Sequence, residues 1–351
     1  MGDTRAGSAF IGSFTSAGGR GIITAAVDAR TGALTETAET GAVANPSYLA
    51  LGAADGGPVL YAVSEQDEGA VGALRVSDDK QPPRLIGAPV AVGGAGPTHL
   101  AVAAGRLLTA NYTSGSVSVL PVGPTGEPVA PARVLRQEGR GPHPERQREP
   151  HAHQVLPDPT GRWILVTDLG TDSVHVCALD PDTGGLVEHG QTALRPGTGP
   201  RQLAFHPSGR YAYVLGELEP AVTVCRWDSG AGVLEPLGVT PVLPEGYTGS
   251  AYPSAVVVAP DGRFLWVAIR GHDSLAVLAL SAGGERAELV TTVPCGGHWP
   301  RDLALDPTGS RLYAANERSG DVTWFAVDPV TGVPRRSGSI EAPAASCVIF
   351  A

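Results

Sequence analysis

Three shortages narrow what this protein can be: the sequence has few cysteines, few charged residues and no long apolar run. The four cysteines, Cys177, Cys225, Cys295 and Cys347, lie far apart and form no C-x-x-C pair. Such spacing favours neither a zinc knuckle nor a disulfide framework, so we expect buried free thiols.

Signals for membrane insertion and secretion are also missing. No segment contains 18 uninterrupted apolar residues, so no transmembrane helix is expected. The start of the sequence, MGDTRAGSAFIGSFT, lacks the basic stretch and long apolar run of a secretory signal. We therefore expect a cytoplasmic protein without a membrane partner.

The shortage of positive charge excludes another class of partner. Charged residues make up 17% of the chain, and the formal net charge is −10. Nucleic-acid binding needs a basic surface, so no nucleic-acid partner is expected. A small anionic substrate is compatible with this charge if arginine and histidine side chains gather locally.

Apolar residues, glycine and proline are abundant. Hydrophobic residues account for 42% of the 351-residue chain, which is enough for a sizeable core. The 47 glycines and 31 prolines indicate many turns. A chain of this length fits either one large β fold or two domains.

Turns and apolar runs recur with a regular period. Segments such as NPSYLALGAADGGPVLYAVSE, GPRQLAFHPSGRYAYVLGELE and WPRDLALDPTGSRLYAANE have proline as their second residue, about 50 residues apart. The opening prolines are Pro46, Pro97, Pro150, Pro200, Pro253 and Pro300. Each unit has the pattern of four short strands joined by tight turns, which is typical of a β-propeller blade.

Six full units leave a partial unit at each end of the sequence. APAASCVIFA resembles the first strand of a blade, and SAFIGSFTSAGGRGIITAAVDARTGALTE supplies the other three strands. Pairing these ends would close a ring and remove free sheet edges. We predict an all-β, seven-bladed β-propeller with four antiparallel strands per blade. Residues 1–351 would form a single domain with blades starting near residues 46, 97, 150, 200, 253, 300 and 343, and a monomer is expected.

Propeller topology brings the start of each innermost strand and the end of each second strand to one face, which we call the active face. Aligning the blades on the opening proline places Ser47, Thr98, His153, Arg201, Ser254 and Arg301 at the starts of the innermost strands. The ends of the second strands carry Glu65, Asn111, Asp168, Glu217, Arg270, Asn316 and Glu317. A carboxylate beside arginines and a histidine suits general acid–base chemistry.

Several of these residues also have a structural interpretation. Asp168 precedes LGTDS and is expected to cap backbone amides of that turn. His151 and His153 alternate along a strand and could share a metal, but no third ligand of matching type accompanies them, so no metal site is predicted. Arg201 and Arg301 could instead form ion pairs with nearby glutamates.

Two further sets of charged residues are interpreted as structural or solvated. His206 aligns with Asp158 and Asp306 at a turn on the opposite face, so we expect a structural role. The loop RQEGRGPHPERQREP contains Arg140, Arg146 and Arg148 on the active face, where solvated charge is the expected role.

The motifs resemble one known family. FIGSFT, NPSYLA, HAHQVLPDPTGRWILVTDLGTDSV, GTGPRQLAFHPSGRYAYVLGELE and WPRDLALDPTGSRLYAANERSGDV are similar to segments of the lactonase family of seven-bladed propellers, over essentially the whole chain. That family contains propeller-type 6-phosphogluconolactonases and fungal carboxy-cis,cis-muconate cyclases. The resemblance implies that a catalytic cluster of His153, Arg201, Glu217 and Arg301 handles an anionic substrate, and we expect no cofactor.

Three functions are compatible with this cluster. In a hydrolase opening 6-phosphogluconolactone, Glu217 or His153 would take the water proton, Arg201 would stabilise the oxyanion and Arg301 would clamp an anionic group. A muconate-type cyclase would use the same residues to close a carboxylate onto a double bond. A noncatalytic binding platform is the third alternative. We expect further substrate contacts from His151, Asp168, Asn111, Asn316 and Arg270.

Overall fold

Antiparallel strands make up nearly all of the regular structure. The computed structural model describes residues 7–77 and 80–351. Within them the strands form seven separate sheets, and the one short helix is the 3-10 turn Thr15–Ala17. No helix in these two stretches is long and apolar enough to cross a membrane. We number the blades 1 to 7 in the order of their innermost strands.

Each of the first six blades runs outward from an innermost strand at the central channel. Blade 1 has Leu49–Ala54, Gly57–Ser64 and Ala70–Arg75, with Arg84–Leu85 and Val90–Ala91 both pairing with the third strand; blade 2 has Pro97–Ala103, Arg106–Asn111, Ser116–Pro121 and Arg133–Arg136; blade 3 has Ala152–Pro157, Ile164–Asp168, Ser173–Leu179 and Leu186–Ala193. Blade 4 has Pro200–Phe205, Tyr211–Gly216, Ala221–Asp228 and Val233–Pro241; blade 5 has Tyr252–Val258, Phe264–Arg270, Ser274–Leu280 and Ala287–Pro294; blade 6 has Pro300–Leu305, Arg311–Asn316, Asp321–Val327 and Pro334–Glu341.

Blade 7 combines the two ends of the described chain. Its strands are Ala345–Phe350, Ser8–Ser13, Ile22–Val27 and Leu34–Thr40. The innermost strand of every blade contacts that of the next, and the strand of blade 7 contacts that of blade 1. The prediction of an all-β, seven-bladed propeller closed by both ends is therefore confirmed.

The hydrophobic core lies between the blades, where the faces of neighbouring sheets pack together. Val267 and Ile269 of blade 5 pack with Leu215 of blade 4, for example, and Trp266 packs toward Leu312 of blade 6. The four cysteines are buried in these layers and form no disulfide. Burying each large aliphatic side chain contributes about 1.5–3 kcal/mol, so the stacked sheets supply most of the stabilisation.

A β-bulge recurs near the start of the innermost strand. In six blades the register with the second strand skips one residue at this place. The skipped residues are Thr98, His153, Arg201, Ser254, Arg301 and Ser346. A bulge leaves its extra residue outside the ladder and redirects its side chain. Most positions predicted to start the active face therefore owe their orientation to a repeated irregularity of the sheet.

Side chains of the innermost strands also join neighbouring blades. The Gln154 side-chain oxygen accepts a hydrogen bond from Leu203 N (2.7 Å), and Gln202 accepts one from Val256 N (3.2 Å). Asp302 binds the blade 7 amide of Val348 in the same way (3.1 Å). These bonds satisfy buried amides that lack a strand partner and fix the angle between blades.

His206 has a structural role at the opposite face. Its Nδ1 lies 2.8 Å from Ser208 Oγ, and its Nε2 lies 3.3 Å from the Gly262 carbonyl of blade 5. The imidazole is buried and joins two turns, which agrees with the expectation from the sequence.

Candidate active site

The redirected side chains meet at one end of the central channel, which we call the channel mouth. A cavity of about 20 Å³ lies beneath it, which is room for about one water molecule. Its lining comes from six blades: Ser47, Tyr48, Glu65, Thr98, His99, His153, Arg201, Gln202, Arg301, Asp302 and Ser346. Three of the four residues predicted to be catalytic thus share one cavity wall, and the fourth, Glu217, contacts two of them.

Glu217 is the centre of the charged cluster. It follows the second strand of blade 4, and only 4% of the residue is exposed. Its Oε2 lies 2.7 Å from Arg270 Nη2, 3.1 Å from Arg201 Nε and 4.0 Å from His153 Nε2. Its Oε1 accepts a 2.7 Å hydrogen bond from Arg146. Three guanidinium groups therefore surround one buried carboxylate.

These neighbours decide the charge of Glu217. Burial alone would raise its pKa, but the positive charges of Arg270, Arg201 and Arg146 outweigh that effect and hold the pKa well below its ordinary value. A carboxylate in this state stays ionised near neutral pH and is a weak proton acceptor. Glu217 therefore balances charge at the channel mouth, and a role as general base is disfavoured.

The positive charge of Arg201 is only partly balanced, because Glu217 is shared with two other arginines. Burial, together with the nearby Arg270 charge, lowers its pKa to about 9. Its Nη1 is buried and has no hydrogen-bond partner among the described residues, and its Nε makes the ion pair with Glu217 without hydrogen-bond alignment. A guanidinium with unpaired donors in a dry site can stabilise a developing negative charge.

His153 is the neutral titratable group of the mouth. It is 8% exposed, and burial together with the charges of Arg201 and Arg301 holds its pKa well below 6.5. The ring lies edge-on to Tyr112, with 5.4 Å between centroids. A neutral imidazole can accept a proton; its lowered pKa makes it a weaker base than a free imidazole, and the nearby charge of Glu217 partly offsets this by favouring the imidazolium.

Arg301 occupies the opposite side of the mouth. Its Nη1 lies 3.2 Å from Glu317, and its Nη2 lies 4.0 Å from Glu65. The guanidinium also lies over the Phe14 ring, 4.7 Å from the centroid. Two glutamates balance this arginine, which is less buried than Arg201, so the ion pair with Glu317 considered from the sequence is present.

Three of the predicted substrate-binding residues do not reach the mouth. Asn111 and Asn316 are 0% exposed, and their side-chain amides donate to hydroxyls of the third strand of their own blades. Asp168, also 0% exposed, accepts hydrogen bonds from the backbone amides of His151, Gly170 and Thr171. The prediction that these three residues contact the substrate is therefore corrected, because their side chains form hydrogen bonds within their own blades.

The reason is the alternation of side chains at the strand end. In blades 2 and 6 the residue that ends the second strand points into its blade, and the next residue points to the channel. The second strand of blade 5 is one residue longer, with Ile269 opposite the opening proline, so its last residue, Arg270, takes the channel-facing position. Tyr112 in blade 2 is equivalent to Glu217 in blade 4 and Glu317 in blade 6, since each follows the strand end. An alignment read one residue further would have identified Tyr112.

The two remaining predicted contacts lie in the site. Arg270 is 7% exposed and donates to the Tyr252 and Pro253 carbonyls, as well as pairing with Glu217. His151 stacks on Tyr112 with 4.4 Å between centroids, and its Nδ1 lies 2.9 Å from the Tyr112 carbonyl. His151 therefore supports the aromatic wall beside His153.

Arg146 contradicts the expectation of solvated charge. It donates to Glu217 (2.7 Å) and to the Tyr112 hydroxyl (3.1 Å), so a loop side chain completes the cationic cluster. Arg140 and Arg148 of the same loop are exposed, as the sequence predicted. Among the described residues no other blade has an equivalent loop residue, and the repeat therefore carried no signal for Arg146.

A second layer lies deeper in the channel, below the bulged residues. Tyr48 and His99 face each other with 4.1 Å between ring centroids. Burial and the charge of Arg201 lower the pKa of His99 to about 3, and burial raises the pKa of Asp302. His99 Nδ1 has no hydrogen-bond partner within the described chain, and neither has Oγ of the bulged Ser346 above it. The His99 and Asp302 side chains of this layer are buried and polar.

Other parts of the described surface are weaker candidates for an active site. A groove of about 780 Å³ lies between blades 3 and 4 on the opposite face, but Arg226 and Glu235 in its wall are exposed and pair with each other. In residues 7–77 and 80–351, no three His, Cys, Asp or Glu side chains cluster as metal ligands would. The channel mouth is therefore the candidate active site, because buried charged side chains converge there.

Comparison with known proteins identifies the family. A family model described as lactonase, 7-bladed beta-propeller, matches residues 8–350. The chain belongs to this lactonase family. A 6-phosphogluconolactonase of Bacillus subtilis is 34% identical over 345 residues, covering 97% of each sequence.

Solved structures of similar proteins superpose on nearly the whole chain. A protein from Lactobacillus plantarum superposes with a TM-score of 0.91 at 30% identity, covering 99% of each chain. The periplasmic gluconolactonase of Pseudomonas aeruginosa superposes with a TM-score of 0.87 at 29% identity, covering 98% of each chain. Two relatives within the lactonase fold are thus named for substrates that differ by one phosphate group.

Proposed function

We propose that the protein hydrolyses 6-phosphogluconolactone to 6-phosphogluconate. The observation that carries this proposal is the neutral, buried His153 at the channel mouth, beside the under-compensated Arg201 and the ionised Glu217. The named activity of the Bacillus subtilis relative supports the same substrate. Ester hydrolysis needs a proton acceptor and a site for an oxyanion, and this arrangement supplies both.

His153 is the proposed base. A water molecule attacks the lactone carbonyl carbon and gives its proton to the imidazole, while the carbonyl oxygen becomes an oxyanion beside Arg201. The intermediate then collapses: the bond between the carbonyl carbon and the ring oxygen breaks, and the ring oxygen takes the proton back from His153. Glu217 stabilises the transient imidazolium, since it lies 4.0 Å from Nε2.

The charges of the mouth suit an anionic substrate. Arg146, Arg201 and Arg270 share one glutamate, so positive charge exceeds negative charge around Glu217. Because these groups are largely buried, their attraction for an anion is screened less than it would be on the surface. The overall negative charge of the chain is thereby reversed locally.

The first prediction concerns turnover. Hydrolysis of freshly prepared 6-phosphogluconolactone, corrected for the spontaneous reaction, should fall about 100-fold or more in His153→Asn and in Arg201→Gln, since each removes a group acting on the transition state. His189 is exposed in the outer strand of blade 3, where it contacts the Ala231 carbonyl of blade 4. The substitution His189→Asn should leave the rate unchanged.

Two results would reject the proposal. One is a wild-type rate equal to the spontaneous rate, and the other is full activity in His153→Asn with a normal thermal melt. If sugar lactones do not react but a muconate-type lactone is formed or opened, the same residues serve the cyclase chemistry instead.

A further inference from the structure

Trp299, at the edge of the channel mouth, has an unusual backbone conformation. It directly precedes the opening proline of blade 6 and has φ +66°. The equivalent residues in blades 1, 2, 4 and 7 also have positive φ, and they are Asn45, Gly96, Gly199 and Ala344. Glycine and asparagine adopt this conformation readily, whereas a bulky residue there is strained. Strain of this kind accumulates at functional sites.

The residue facing Trp299 has changed as well. In blades 2 and 4, a Cβ on Gly96 or Gly199 would collide with Thr113 or Leu218, two residues beyond the second strand. The equivalent residue in blade 6 is Arg318, whose Cζ lies 3.4 Å from the Trp299 ring centroid. A glycine facing a small or aliphatic side chain is thus replaced in blade 6 by a stacked tryptophan and arginine.

Arg318 differs from the other arginines of the mouth in its charge balance. Glu217 pairs with Arg146, Arg201 and Arg270, and two glutamates lie beside Arg301. Within residues 7–77 and 80–351, no carboxylate forms an ion pair with Arg318, and the residue is exposed. Stacking on an aromatic face leaves the planar fork of N–H donors available for an anion.

The stack is connected to the central cluster. Arg270 Cζ lies 5.7 Å from the same Trp299 centroid, while its Nη2 contacts Glu217. The guanidinium of Arg318 and the guanidinium that holds Glu217 therefore lie near the same aromatic ring. A sugar-sized molecule with its reacting carbonyl at Arg201 could reach Arg318 with a distant group.

We propose that Arg318, held on the Trp299 platform, binds the distal phosphate of the substrate. This inference rests on the proposed function and names the residues that would distinguish a phosphorylated sugar lactone from a neutral one. A phosphate ester is a dianion whose oxygens match the guanidinium fork in a bidentate contact. A neutral gluconolactone has no group for this site and would gain nothing from it.

The test compares 6-phosphogluconolactone with glucono-δ-lactone. In Arg318→Gln, kcat/KM for the phosphorylated lactone should fall about tenfold or more, mainly through KM, while kcat/KM for the neutral lactone stays unchanged. Trp299→Gly should act in the same direction. A thermal melt of this variant checks that the fold is retained, as expected for a position that is glycine in blades 2 and 4.

A matched control is available on the opposite face. Arg162 also lies over a tryptophan, with its Cζ 4.8 Å from the Trp163 centroid, so Arg162→Gln removes a similar contact far from the mouth. This variant should keep both activities. Equal losses on the two lactones in Arg318→Gln, or no loss on either, would overturn the proposed phosphate site.

Failure of the proposed function is distinguishable from failure of this site. If the wild type opens neither lactone, isothermal titration with 6-phosphogluconate and gluconate still tests the site. A preference for the phosphorylated acid that disappears in Arg318→Gln supports it, whereas a preference retained in the variant, or absent from the wild type, overturns it.

Discussion

Glu217 holds the cationic cluster together, and its burial explains why a charged residue is needed there. Three guanidiniums within 3.1 Å of one carboxylate would repel each other if the carboxylate were neutral. Removing one partner of a buried ion pair leaves a charge without compensation, which typically costs about 3–5 kcal/mol. The same carboxylate favours protonation of His153, the proposed base.

Two buried neutral histidines predict a dependence of stability on acid. Burial lowers the pKa of His99 to about 3 and holds that of His153 well below 6.5. In the unfolded chain both would titrate near 6.5, so below that pH the unfolded state binds protons that the folded state does not. The free energy of unfolding should therefore fall as the pH drops from 6 toward 5, by about 1.4 kcal/mol per pH unit from His99 and by a further contribution from His153.

Urea unfolding at pH 7, 6 and 5 measures this effect. His99→Phe keeps an aromatic ring against Tyr48. It should reduce the slope of unfolding free energy against pH by the contribution of one histidine. His189→Phe changes an exposed histidine and should leave the slope unaltered. A His99→Phe protein with the slope of the wild type would show that His99 is not the group responsible.

At the scale of elements, the loop between blades 2 and 3 positions Arg146 through the next residue, Gln147. This side chain is fully buried, donates to the Leu169 carbonyl (2.9 Å) and to Asp172 (2.7 Å), and accepts from His143 N (2.9 Å). Asp172 in turn accepts hydrogen bonds from two amides before blade 4. One glutamine thus ties the loop to the junction of two blades.

Gln147→Ala should loosen this loop. Loss of three hydrogen bonds leaves buried polar groups unsatisfied, at about 1–3 kcal/mol for each unsatisfied group. Backbone amides of residues 138–149 should exchange hydrogen for deuterium faster, as measured by mass spectrometry. The exposed Gln191 makes one hydrogen bond to Ser173, and Gln191→Ala should leave loop exchange unchanged. Unchanged exchange in Gln147→Ala would refute the anchoring role.

The elements also show what the sequence could and could not predict. The blades were predictable because proline and turn residues recur with the period of the fold. The alignment also found His153, Arg201 and Arg301, because bulged residues occupy equivalent places near the starts of the innermost strands. The bulges themselves leave no compositional signal, and Arg146 lies in a loop without an equivalent among the described residues.

Asn111 and Asn316 illustrate the error that strand alternation produces. Both were placed at the correct end of the correct strand, but one residue separates a side chain buried inside a blade from one that faces the channel. Sequence periodicity locates an element to within about a residue or two, and here a shift of one residue changes the role.

At the scale of the whole molecule, closure depends on the strand Ala345–Phe350. Val348, which is 1% exposed, pairs with Ile11 of the strand Ser8–Ser13. Val348→Asp would place an unpaired charge in the layer between blades, so we expect a loss of about 4 kcal/mol or more in the free energy of unfolding. Size-exclusion chromatography should also show larger species, because an unseated strand leaves sheet edges open.

Val330 supplies the control. It is 77% exposed in a turn of blade 6, so Val330→Asp makes the same chemical change outside the core. Its unfolding free energy should remain within about 0.5 kcal/mol of the wild type. Similar stability of the two variants would mean that closure contributes little to the fold.

The pairing of Ala345–Phe350 with Ser8–Ser13 sets an order of events during protein synthesis. Ser8–Ser13 is translated before the other six blades, yet its inner neighbour is translated after them. The sheet of blade 7 must therefore wait as an incomplete template, with a row of unpaired amides and carbonyls, until the other six blades have been translated. Nascent chains of this protein are consequently most vulnerable to pairing with one another while they are still attached to neighbouring ribosomes.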